Sequence, residues 1–126
     1  MRNGCTGAET FVSDGLERWS AQARKGYFEL LLLTHLARER TYGYALVAKL
    51  RQAPGFAELA EGTVYPVLAR LKADGFITAE WVTEETGPPR KYYVATDEGR
   101  AVLTRMRDIW TSMNAALDAA GERDGS

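Results

Sequence analysis

Apolar side chains recur along this 126-residue chain with two different periods, and the changes of period mark its elements. From about Asp14 the spacing is helical, and Asp14 is placed to cap a turn that carries Leu16 and Trp19 on one side. Gly26 weakens this helix or marks a junction. Residues 27–38 are apolar nearly all round, the pattern of a helix central to a small core. His35 lies in that segment and reads as a packed residue. Thr41-Tyr42-Gly43-Tyr44 opens a second helix, with Leu46, Val47 and Leu50 inward and Lys49 and Arg51 outward, and Pro54-Gly55 ends it. A third helix is predicted from about Gly62 to Asp74, because Val64, Val67, Leu68 and Leu71 fall at i, i+3, i+4 and i+7. Pro66 has no amide hydrogen, so it belongs in the first turn, with the cap near Gly62 or Thr63. Gly75 is placed to terminate this helix.

The period then falls to two. Ile77, Ala79 and Trp81 alternate with Thr78, Glu80 and Val82, as in a half-buried strand. Thr86-Gly87-Pro88-Pro89 is a turn and Lys91-Tyr92-Tyr93-Val94 the return strand of an antiparallel hairpin, with one of the two tyrosines in the core. Thr96-Asp97-Glu98 opens a last helix, a hydroxyl cap followed by two carboxylates at the positive end of the dipole. Along it Leu103, Met106, Trp110, Met113 and Leu117 are spaced 3-4-3-4, with Val102, Ile109 and Ala116 beside them, a wider apolar face than one small domain covers. Such a seam predicts a partner helix. Residues 1–13 read as a flexible tail that includes Cys5, and residues 121–126 as a second one.

Three helices, a two-stranded hairpin and a long terminal helix make a mainly α fold with a small β-hairpin. The second and third helices form a helix-turn-helix with a long connection, the hairpin is its wing, and the third helix enters a major groove by its N-terminal end. The domain plan is a winged helix-turn-helix over 14–95, with an N-terminal helical extension, then a C-terminal dimerisation helix over 96–120.

Composition narrows the possibilities. One Cys and one His provide neither an internal disulfide nor a Cys/His zinc site within the chain, so no metal or cofactor is expected. No apolar run approaches a membrane span and no secretory signal is visible, so the expected location is the cytoplasm. No phosphate-binding glycine loop and no nucleophile with a local base points to an enzyme. The formal net charge of −1 argues at first against a polyanion partner. However, residues 18–51 carry seven basic against two acidic side chains, whereas residues 52–89 carry two against six. Binding follows the local field more than the total.

Three separated segments carry a resemblance. Gly62-Thr63-Val64-Tyr65-Pro66-Val67-Leu68-Ala69-Arg70-Leu71-Lys72-Ala73-Asp74-Gly75-Phe76 resembles the recognition-helix signature of the PadR family of transcriptional regulators. Residues 87–96 resemble its wing motif, which ends in Arg90-Lys91-Tyr92-Tyr93 with a Thr shortly after, and Tyr42-Gly43-Tyr44 matches the start of its second helix. Pro88-Pro89 departs from the family pattern and makes the wing tip stiffer and less cationic. The likeness spans about residues 25–118 and is strongest to short members with a single helix after the wing.

Residue chemistry and resemblance agree on double-stranded DNA. Thr63, Tyr65 and Pro66 sit at the start of the third helix, suited to base edges and nearby phosphates. Lys25, Tyr42, Lys49, Arg70, Arg90 and Lys91 complete the expected contact set, although Arg70 is equally placed for an ion pair with Asp74. The resemblance further implies a homodimer on a pseudo-palindromic operator, joined through Leu103, Met106, Ile109, Trp110, Met113 and Leu117. It implies too that a planar aromatic ligand stacks on Trp110, among Met106, Met113, Asn114 and Glu29, and releases repression. Residues 14–25 either pack on that dimer or reach DNA. The competing reading is a winged-helix module that binds protein and not DNA, favoured by the acidic stretch around the third helix.

Overall fold

The computed structural model describes residues 6–121, and side chains from residue 14 onward. Its elements run α1 (Thr6–Arg38), β1 (Thr41–Tyr42), α2 (Gly43–Leu50), α3 (Glu61–Ala73), β2 (Ile77–Val82), β3 (Arg90–Ala95) and α4 (Asp97–Gly121). Phe28, Leu32, Leu33 and Leu36 of α1 form the middle of the core. Around them pack Leu46, Val47 and Leu50 of α2, Val64, Leu68 and Leu71 of α3, Ile77, Tyr93 and Ala95 of the sheet, and Leu103 of α4. Each fully buried side chain of this kind contributes about 1.5–3 kcal/mol. The stripe foreseen on the third helix is therefore its inward face, with Val67 partly covered.

Local signals set most boundaries. Gly75 takes φ 83°, its amide donates to Lys72 O, and the Phe76 amide donates to Leu71 O, the paired bonds that close a helix around a left-handed residue. Thr96 Oγ1 accepts from the Gly99 amide at 2.9 Å and donates to Gly75 O at 2.7 Å, so one hydroxyl caps α4 and ties it to the end of α3. Beside it Gly99 lets α4 approach the turn: a Cβ there would lie 2.0 Å from Phe76 O. The hairpin pairs Ile77 with Ala95 through to Val82 with Arg90. Tyr93 is the buried tyrosine and Tyr92 the half-buried one.

Several expectations need correction. α1 is continuous through Gly26, and it starts at Thr6 inside the segment expected to be a flexible tail; residues 1–5 and 122–126 lie outside the described residues. Tyr42 is the cap residue of α2, as foreseen, but with Thr41 it also forms an unforeseen short edge strand opposite Tyr92 and Tyr93, making a three-stranded antiparallel sheet of order β1-β3-β2. α3 begins at Glu61 with Ala60 as its cap residue, so Pro66 falls in the second turn. Its missing amide leaves the carbonyl of Gly62, an exposed residue, without the usual i+4 donor, and water can serve it there. Trp81, foreseen on the buried face of β2, is 68% exposed because the hairpin projects past the core.

Candidate nucleic-acid interface

The inward stripe of Val64, Leu68 and Leu71 turns the opposite side of α3 to solvent, where Thr63, Tyr65 and Pro66 are all exposed. Tyr65 keeps 42% of its surface accessible while its ring lies against the first residue of α2. A Cβ on Gly43 would come 2.6 Å from Tyr65 Oη, so glycine at this position admits the tyrosine. Beyond Tyr65 a groove of about 480 Å³ separates α3 from β3, and Lys72, Lys91 and Tyr93 line it. Burial raises the Tyr93 phenol above its ordinary value, with the Tyr65 phenol adding to the effect. Two ammonium groups and two hydroxyls thus share one groove between helix and wing, a surface suited to phosphate oxygens.

The outer face of the wing is a stack of aromatic rings and guanidinium groups. Arg90 sits 4.4 Å over the ring of Tyr42, Tyr42 meets Tyr92 edge-on at 5.4 Å, and Arg40 sits 4.9 Å over Tyr92. Arg40 also bonds Glu80 at 3.0 Å, and Tyr92 Oη donates to Glu84 Oε2. Such stacking holds a cation in place without neutralising it. Tyr42 is thus a platform under Arg90.

The other foreseen cations lie elsewhere. Lys49 pairs with Glu39 at 2.6 Å in a separate cleft with His35, Arg38 and Gln52. The Lys49 ammonium holds the Glu39 carboxyl below its usual value, first through the hydrogen bond and then through charge. Arg70 is ion-paired as anticipated, but with Glu29 at 2.5 Å rather than with Asp74. That bond and the Glu29 charge raise the guanidinium further, with a lesser push from Asp74. Lys25 lines the cleft between α1 and α3. Two residues were missed: Tyr44, 70% exposed at the start of α2, and Arg40. Tyr44 was legible as part of the Tyr-Gly-Tyr match, but Arg40 acquires its position only when β1 pairs with the wing.

The terminal helix divides in two. Leu103 is buried in the chain's own core and Met106 packs against it, so these foreseen interface residues face inward. Ile109, Met113, Asn114 and Leu117 are exposed. Trp110 stands between, half-buried, with its ring 5.3 Å from Tyr27 in a cleft of about 270 Å³ that Leu30, Leu31 and Thr34 of α1 also line. Glu29 does not reach this cleft, being held by Arg70. On α1, Leu16 and Trp19 are likewise exposed.

A helix-turn-helix whose second helix is bared at its start beside a three-stranded wing defines a winged-helix protein. The sequence profile of the transcriptional regulator PadR-like family matches residues 32–105. The solved PadR family transcriptional regulator of Eggerthella lenta superposes with a TM-score of 0.77 at 32% identity, over 91% of this chain and 99% of that one. The PadR-like regulator of Bacillus cereus gives 0.73 at 31% identity, over 82% and 99%. A transcriptional regulator of Mycobacterium tuberculosis is 38% identical over 78 residues, which is 62% of this chain and 70% of that protein. The chain belongs to the PadR-like family of transcriptional regulators. Among the described residues no helix is long and apolar enough to cross a membrane.

Proposed function

We propose that the protein is a homodimeric repressor that reads a pseudo-palindromic operator and leaves it when a flat aromatic ligand stacks on Trp110. The observation that carries the DNA step is the joint exposure of Thr63, Tyr65 and Pro66 on α3 next to the Lys72–Lys91 groove and the stacked Arg90. The first turns of α3 read base edges in the major groove while the wing holds backbone phosphates. Dimerisation draws its support from Leu16, Trp19, Ile109, Met113 and Leu117, an apolar set too large to leave in water on two helices that run out of the core. The ligand step is supported by Trp110, which presents an indole at the mouth of an open cleft backed by Tyr27. A ligand that favours another spacing of the two recognition helices lowers operator affinity by its differential affinity for the two arrangements.

Titration of the DNA upstream of the protein's own gene against random DNA, at two salt concentrations, tests the reading. Tighter binding to the upstream DNA, falling steeply with salt, is expected. No affinity for either DNA at low salt sinks it in favour of a protein-binding winged helix. Quenching of tryptophan emission by a planar aromatic compound, lost in Trp110→Phe, is expected for the ligand step.

A further inference from the structure

We propose that Trp81 is a DNA-contacting residue, whose indole lies on deoxyribose faces of the backbone and supplies a share of affinity that salt does not screen. Among the described residues it is the one large apolar side chain of the hairpin left exposed, at 68%. The strand register explains its position. Ile77, Ala79 and Trp81 share one face of β2, and their partners in β3 are Ala95, Tyr93 and Lys91. That face starts in the core at Ile77 and Ala95, passes half-buried Ala79 and buried Tyr93, and ends at Trp81 beside Lys91. The core does not reach this outer rung, and no described aromatic ring packs on the indole. The fold therefore gives no reason for so large an apolar group here, and a partner does.

The surroundings select the partner. Lys91 and Tyr93, on the same face, line the groove that Tyr65 and Lys72 of α3 close on the other side. Trp81 continues that groove outward past Lys91. No acidic side chain lines it. Glu80 lies on the opposite face of β2 and is held by Arg40, and Glu84 accepts from Tyr92, which also faces away. An indole next to an ammonium suits a polymer that alternates anionic and apolar groups, as the DNA backbone alternates phosphates and sugars. Lys91 takes the phosphate and Trp81 the adjoining sugar. This chain has reason to use such a contact: its formal net charge is −1, and Pro88 and Pro89 stand in the turn of the wing where cations would add counterion release. The exposed apolar side chains assigned to the dimer, Leu16, Trp19, Ile109, Met113 and Leu117, all lie on α1 and α4, so they form a separate surface.

This contact rests on the DNA reading above, and its test separates the two. Binding of the full chain to the upstream DNA and to a random duplex is measured over a range of salt concentrations. Trp81→Ala should weaken both DNAs alike, since sugars carry no sequence. The loss should be about tenfold, the effect of returning about 55 Å² of apolar surface to water. The salt dependence of Trp81→Ala should match the wild type, because a neutral side chain releases no counterion, whereas Lys91→Gln should reduce the slope of log affinity against log salt by about one. Trp81→Phe, which keeps a flat apolar face, should recover most of the loss. With 5-fluorotryptophan at the three tryptophan positions, the fluorine resonance missing from Trp81→Phe should shift when DNA is added. A wild type that binds neither DNA overturns the DNA reading and this contact with it. Three results overturn the contact alone: wild-type affinity in Trp81→Ala, a loss accompanied by a reduced salt slope, or a Trp81 resonance that moves with protein concentration and not with DNA.

Discussion

The winged-helix body and the two helical ends that leave it are built on opposite principles. Between Tyr27 and Leu103 nearly every apolar side chain has a neighbour from a distant part of the chain, and the caps, the left-handed glycine and the strand register all agree with that packing. From Asp14 to Lys25 of α1, and from Thr111 onward in α4, no described side chain is buried, and yet these segments carry Leu16, Trp19, Met113 and Leu117. Helices of 33 and 25 residues are about 50 and 38 Å long at 1.5 Å per residue, and the core covers only part of each. The body buries its own apolar side chains, whereas the ends leave theirs exposed, and the proposed dimer would cover them.

Substitutions separate the two regions by the kind of loss they cause. The largest expected effect is in the body: Leu32→Ala removes a fully buried side chain from its centre and should cost about 2–5 kcal/mol, read by chemical denaturation. Gly99→Ala should follow at about 1–3 kcal/mol, because its Cβ meets the backbone carbonyl of Phe76 and not a side chain able to turn aside. Ile109→Glu combined with Met113→Glu should instead leave the far-ultraviolet circular dichroism of the body intact while converting the dimer to monomer in light scattering. A dimer that survives this change would break the comparison. Gly43→Ala tests the junction of stability and recognition. The obstacle is the far end of a flexible tyrosine, so the melting temperature should change little, while displacement of Tyr65 should weaken binding to the upstream DNA by about tenfold, the value of one lost contact of roughly 1–2 kcal/mol.

The smallest effect is one of pH. Burial, then the charges of Lys49 and Arg38, lower the pKa of His35 from its ordinary 6.5. A base that binds its proton less well when folded contributes stability that is present above the unfolded pKa and lost as pH falls below it. The wild type should therefore become easier to denature from pH 7.5 to 5.5, and His35→Gln should flatten that slope. An unchanged slope in the variant would show that His35 does not cause it.

What was legible in the sequence follows the same division. Gly75 and Thr96 act on residues within a few positions of themselves, so their roles as helix stop and cap could be read directly. The inward faces of α2 and α3 follow from period alone. β1 could not be read, since two residues show no period and their partners lie some fifty positions away. The Arg70–Glu29 pair spans 41 positions and was equally invisible. Gly26 misled because a glycine costs a helix only about 1 kcal/mol, less than the surrounding turns of a long helix supply. Pro66 misled because a second-turn proline is tolerable where the carbonyl it strands is exposed. At the interface, the residue types of α3 and the wing were readable, but not that Tyr42 would serve Arg90 and that Lys49 would be taken up by Glu39.

The edge strand has a mechanical consequence. By pairing Thr41 and Tyr42 with Tyr93 and Tyr92, it laces the start of α2 to the wing, and Tyr65 rests on that same start. The start of α2, the first turns of α3 and the wing are thereby joined into one unit. On the proposed reading, the surface that meets DNA is carried by α3 and the wing, whereas the Trp110 cleft is carried by α1 and α4.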